Sequence, residues 1–269
     1  TDGLTVDQLG DTTYAGSISG LGDVTKEGSG TLTITGASTY TGGTTVSEGT
    51  LDTTGGGTLA DTGKIDVSTG ATFVAGTADT VGVVTNDGTY DVNAAQTVAS
   101  LTNRGLTDLD AALTAGAGGV DNASGATLEQ NADITSAGSV TNNGTLTVTG
   151  DRRIETTGAS AGFTGAGGTT VAAATDALTV DQLGDTTYAG SITGLGSFTK
   201  VGSGTLTFGG SIGAITVTDI TAIGGGLTLA QGGVLSSQTD LVLDDTVFTI
   251  LTGAQTLDSV QGDGQMVLN

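Results

Sequence analysis

An asparagine that returns after 17, 19 and 20 residues, each time in the same apolar frame, decides what the middle of this chain can become. Val84, Asn86 and Val92 are followed by Leu101, Asn103 and Leu109, then by Val120, Asn122 and Leu128, then by Val140, Asn142 and Val148. Self-similarity at a period near 20 residues is the signature of a stacked solenoid, in which each repeat is one coil that buries its apolar side only against its neighbours.

Composition narrows the kind of coil. With 49 glycines, no proline and 3% aromatics, the 269 residues cannot fill a thick rounded core. A thin core suits them, each short strand supplying one or two Val, Leu or Ile side chains. The lack of proline agrees, because proline in an interior strand deletes a ladder hydrogen bond. Charge is lopsided, with 28 Asp plus Glu against 6 Lys plus Arg and a net charge of −22. Such a surface repels phosphate backbones and anionic head groups, so neither a nucleic-acid partner nor direct membrane insertion is expected. No apolar run is long enough for a membrane helix. Without cysteine or histidine, disulfides, nucleophile–histidine catalysis and the usual zinc sites are excluded.

Strand alternation assigns faces within the coil. Counting from each asparagine, Tyr90 and Val92, Thr107 and Leu109, Ala126 and Leu128, and Leu146 and Val148 are expected inside. Val84, Leu101, Val120 and Val140 close the same core, while Asp91, Asp108, Thr127 and Thr147 are expected to face water. Parallel stacking brings like residues about 4.8 Å apart, so Asn86, Asn103, Asn122 and Asn142 can bond amide to amide as a structural ladder at a corner. Asparagine also tolerates the left-handed backbone that such a corner can demand. At about 19 to 20 residues per turn the chain makes roughly 13 turns, a rod on the order of 65 Å long.

A second regularity lies over the first. TDGLTVDQLGDTTYAGSI at 1–18 returns as TDALTVDQLGDTTYAGSI at 175–192, and the match runs on to Gly36 and Gly210 with substitutions such as Val24 for Phe198. The offset is 174 residues, about nine turns, which divides the chain into a unit at 1–174 and the start of a second unit at 175–269 in one continuous solenoid. Residues 23–76 read as three further strand-rich turns, each with glycine ahead of an alternating run. The segment 151–173, with Arg152 and Arg153, reads as a turn with a protruding loop or as a junction, and 211–269 as about four more strand groups. LTDLDAALTAGA at 106–117 has the spacing of a short helix, but its neighbours hold the strand register and favour strand.

GSGTLTITGASTYTGGTTVSEGTL at 28–51 resembles the passenger-associated transport repeat of bacterial autotransporters and related large surface adhesins. The lead-in DTTYAGSISGLGDVTKEG resembles that of the same repeat, whereas the second copy keeps GSGTLTF at 202–208 and then departs. The resemblance implies a right-handed parallel β-helix displayed outside the cell, at the bacterial surface.

Little concentrated chemistry stands out. A polysaccharide-acting β-helix enzyme would use Asp91 and Asp108 on neighbouring turns with Arg104 nearby, but the expected outward row turns to threonine after two acids. Calcium, which takes carboxylate and carbonyl oxygens, finds its densest acids at Asp240, Asp244 and Asp245 and at Asp258 with Asp263, though without a recognised calcium loop. No other cofactor is implied. Threonine rows such as Thr31, Thr33 and Thr35 fit a solvated strand face better than an ice-binding one. The expectation is therefore a non-enzymatic, extracellular structural or adhesive segment: a stalk, a spacer or an adhesion surface. The alternative is a matrix or surface-layer filament whose protomers stack end to end. The partners expected are neighbouring repeats or protomers, with host or biofilm glycans or proteins on the outer faces.

Overall fold

Short alternating runs such as Thr31–Ile34 and Thr145–Val148 put their aliphatic residues on one side and threonine on the other. Stacking such runs seals the aliphatic side and leaves the threonines in water. The computed structural model, which describes residues 2–59, 62–209, 214–230, 234–251 and 254–268, follows this rule along most of its length, while the strands at both ends are exposed. Gly210, where the duplicated block ends, and part of the LTLAQGGVL run lie outside the described residues. Among the described residues every element is a strand, paired in parallel with strands of neighbouring turns, in a β-solenoid of about 13 turns.

A typical turn contributes three strands and hence three faces. In one turn these are Val120–Asn122, Thr127–Gln130 and Ile134–Ser136. In two turns the third strand runs straight into the next first strand, forming the long strands Asp79–Asn86 and Gln96–Asn103. The stretch with helical spacing is strand at Leu106–Leu109 and Leu113–Ala115. One contiguous core extends from Leu32 to Ile250. Within it Phe73 stacks on Tyr90 with ring centroids 5.4 Å apart, and Phe163 on Tyr188 at 4.5 Å.

The faces follow the expected register except where a corner changes length. After Asn122 the corner Ala123–Ala126 is two residues longer than the corner after Asn103: Asn103 pairs with Asn122, yet Thr107 pairs with Leu128. Ala126 is buried in the corner, its N–H donates to Ala123 O, and Gly125 takes a φ of +87°. The outward neighbour of Asp108 is therefore Glu129, and Thr127 lies between Leu106 and Thr145. This corrects the expectation that the acidic row stops after two turns. Threonines also align from turn to turn, with Thr141, Thr164, Thr207, Thr228 and Thr249 on the first face.

The duplicated block does not return in phase. One interior column on the first face runs Val6, Lys26, Val46, Val67, Asn86, Asn103, Asn122, Asn142, Gly165 and Tyr188. In the block Tyr188 is the copy of Tyr14, one strand beyond Val6. The offset of 174 residues therefore spans nine turns less one strand of three. Leu4–Asp7 lies on the first face, whereas its copy, within Ala177–Gln182, lies on the third. Internal register is kept nonetheless: Val6 pairs with Lys26 as Val180 pairs with Lys200, and Tyr14 with Ile34 as Tyr188 with Phe208. The block is rotated by one third of a turn, so its strands keep their pairing when it starts on the first face and when it starts on the third.

Candidate functional surface and interior ladder

Inside, the corners are closed by side-chain donors aimed toward the next turn. Strand ends leave backbone carbonyls without a sheet partner, and burying them unpaired is costly. Asn86 Nδ2 donates to Asn103 Oδ1 at 2.9 Å, Asn103 to Asn122 at 2.9 Å and Asn122 to Asn142 at 2.8 Å. The same amide groups donate to Leu106 O, Thr127 O and Thr145 O one turn on. None of the four asparagines has a positive φ; their contribution is the buried amide, not a left-handed backbone. The next member of the column is Gly165, at φ +118°, where a Cβ would fall 2.1 Å from Asn142 O. With no side chain there, Asn142 Nδ2 donates instead to Tyr188 OH at 3.2 Å, two turns along.

The duplicated block does the same work with other groups. Gln8 Nε2 donates to Thr31 O at 2.8 Å, and its copy Gln182 to Thr205 O at 3.1 Å. Lys26 and Lys200 are buried, their ammonium groups donating to turn carbonyls: Lys26 to Glu27 O, Gly28 O and Glu48 O, and Lys200 to Gly202 O and Gly224 O. Loss of hydration lowers the Lys200 pKa to about 8 against the opposing pull of Asp181 and Asp185, and it lowers that of Lys26. Buried lysines had no signal in the sequence beyond their place at an inward position of VTKEGSGTL and FTKVGSGTL.

Outside, one group of acidic side chains converges among the described residues. Asp91 and Asp108 on the second face and Asp110 in the corner after it bring carboxylate oxygens within 4.8 Å of one another. Asn131 Nδ2 bridges two of them, donating at 3.0 Å to Asp108 Oδ1 and at 3.0 Å to Asp110 Oδ1. Partial burial raises the pKa of Asp91, helped by Asp110 and Asp52 and opposed by Asn93. Asp108 is raised by burial and then by Asp110, Glu129 and Asp91. Three oxygen donors at that spacing suit a hard divalent cation. Arg104 is not their partner: its guanidinium stands 3.6 Å from Asp87 at the corner.

The sequence's own calcium candidates are spread out. Asp240 accepts from Ser259 Oγ at 2.5 Å, and Asp263 Oδ1 accepts from Asp245 N–H at 3.3 Å. No three of Asp240, Asp244, Asp245, Asp258 and Asp263 form such a group among the described residues. Asp110 and Asn131 were missed because they sit in corners, outside the strand alternation that singled out Asp91 and Asp108.

Comparison with protein families matches residues 24–52 to the passenger-associated transport repeat. That stretch covers the strands Val24–Glu27 through Thr50–Asp52 and includes the buried Lys26. Neither the curated proteins nor the solved structures yield a match.

Proposed function

We infer that this segment is a structural rod of a bacterial surface protein, an extracellular spacer that carries other parts away from the cell and shows its three faces to water. A β-solenoid bearing a passenger-associated transport repeat is the setting of this reading. The observation that carries it is the continuity of the column from Val6 to Tyr188, which holds its register through changes of corner length and donor chemistry. A stack of that kind resists bending because each turn is hydrogen-bonded to both neighbours, and its length is set by the number of turns, about 4.8 Å each. The acidic exterior adds solubility and keeps such rods apart.

Removing residues 104–122, which joins Asn103 to Ala123 and deletes one turn, tests the reading. The rod should stay folded and monomeric by light scattering and shorten by about 5 Å in small-angle X-ray scattering. On the cell surface, the parent protein should lose reach but no activity. Turnover of a polysaccharide by the intact segment, abolished by Asp91→Ala, would replace the spacer with an enzyme.

A further inference from the structure

The two copies of the block share a sequence but not a setting, and the contrast identifies what the first copy is shaped to receive. In the second copy Leu178, Val180, Tyr188 and Ile192 are fully buried. Their equivalents Leu4 and Tyr14 are 44% and 45% exposed, and Leu4, Val6, Tyr14, Ile18 and Leu32 line an open apolar hollow. What covers the second copy is the turn just before it. Asp151–Thr156 lies on Ala177–Gln182, with Ile154 beside Val180 and Arg153 paired to Asp181. Phe163 stacks on Tyr188, and Gly168–Val171 lies on Ser191–Gly194. Asp176 is buried and accepts from Ala173 N–H, and Ala177 N–H is donated to Gly150 O. The first copy retains each receiving group: Asp2 for Asp176, Gly3 for Ala177, Val6 for Val180, Asp7 for Asp181 and Tyr14 for Tyr188.

We propose that residues 2–20 are an acceptor for a turn of the 151–171 type. The occupant brings an isoleucine onto Val6, a phenylalanine onto Tyr14 and an arginine to Asp7. The observations favour this occupant over an arbitrary apolar partner, because the same receiving surface is already seen filled within the molecule, in register and with its charge matched. Each such junction advances the block by two thirds of a turn beyond a whole number, so successive copies display their outer residues on different faces. A rod built of these units is a rotating display rather than a single repeated stripe.

The test uses the full chain with residues 140–174 repeated ahead of Thr1. Tyr14 is one of four tyrosines, and Tyr40, Tyr90 and Tyr188 are buried, so acrylamide quenching of tyrosine emission reads the acceptor directly. The quenchable component, identified by its loss in Tyr14→Phe, should vanish on extension, and the Gly3 amide should become protected from hydrogen exchange as that of Ala177 is. Amides between Asn86 and Asn142 report that the rod itself is folded. Placing Ile154→Asp and Phe163→Asp in the added stretch should restore quenching. The proposal is overturned if Tyr14 stays quenchable in the extended folded chain, or if the doubly substituted stretch shields it equally. Concentration-dependent protection of Tyr14 in the unextended chain would overturn it too, by showing that the end of a second molecule fills the site.

Discussion

The turns from Asn86 to Asn142 and the duplicated block close equivalent corners with different chemistry. In the central turns a neutral amide accepts from the turn below and donates to the turn above, so each corner depends on its neighbours. In the block a single ammonium meets carbonyls of its own corner and the next, and needs no like residue above or below: Lys26 stands between Val6 and Val46, Lys200 between Val180 and Ala222. A ladder ties its turns to one column. A self-contained corner does not, and that is why the block can reappear on another face while the asparagines keep to one.

The largest separation of the two devices should come from charging the ladder. Asn103→Asp keeps the acceptor that Asn86 uses but removes the donor to Asn122 Oδ1 and Thr127 O, leaving a buried carboxylate beside two acceptors. The expected loss is about 3–5 kcal/mol, as for an uncompensated buried charge. Burial raises the carboxyl pKa in the folded state, so the folded chain binds more protons and part of the loss should return as pH falls. Urea unfolding at pH 7 and pH 5 reads both effects.

Gly165→Ala probes the place where the ladder gives way to the block. The added Cβ meets Asn142 O at 2.1 Å on a backbone at φ +118°, and the neighbouring Tyr188 contact to Asn142 would shift with it. Strain and overpacking together should cost about 2–4 kcal/mol. Hydrogen exchange should show the loss concentrated near 140–190, with the amides around Asn86 retained.

How much of this was legible in the sequence depends on which interaction fixes it. Period, parallel stacking and the inward positions of Tyr90, Leu109 and Leu146 follow from alternation, because one slipped residue would turn a strand inside out. The asparagine ladder follows from equal spacing within parallel turns. Corner length does not follow: Ala123–Ala126 absorbs two extra residues by turning Ala126 inward, and nothing in Ala-Ser-Gly-Ala announces that Glu129 will join the row of Asp91 and Asp108. The rotation of the block was hidden for a related reason. The same five strands keep their mutual register in both phases in which they occur, so local sequence carries no mark of phase.

Lys200→Met isolates the block's device. The thioether fills the space of the stem but leaves Gly202 O and Gly224 O without their donor, for a loss of about 1.5–3 kcal/mol near neutral pH. The pH dependence is more telling. With a folded pKa of about 8 against the ordinary 10.5, the unfolded chain holds the proton through that window, so Lys200 makes stability rise with pH from about 8 to 10.5. The difference between parent and Lys200→Met should therefore change across that window, and Asn103→Leu, which carries no charge, should show no such change.

The smallest effect belongs to the outer face, where the same kinds of group meet water. Asp108 is crowded by Asp110, Glu129 and Asp91, and its pKa is raised chiefly by partial burial. A raised carboxyl binds more protons in the folded chain, so its contribution becomes less favourable as pH rises through the range just above 3.8 and then stays constant. Asp108→Asn should remove that burden and raise stability at pH 7 by about 0.2–1 kcal/mol, with the gain shrinking in 1 M salt because exposed charges are screened there. Asn131 donates to both Asp108 and Asp110, so the new amide must present its oxygen to keep the bridge. A loss at pH 7 would mean that this hydrogen bond outweighs the repulsion, and that the outer acids, like the inner amides, are held by their neighbours rather than merely tolerated by water.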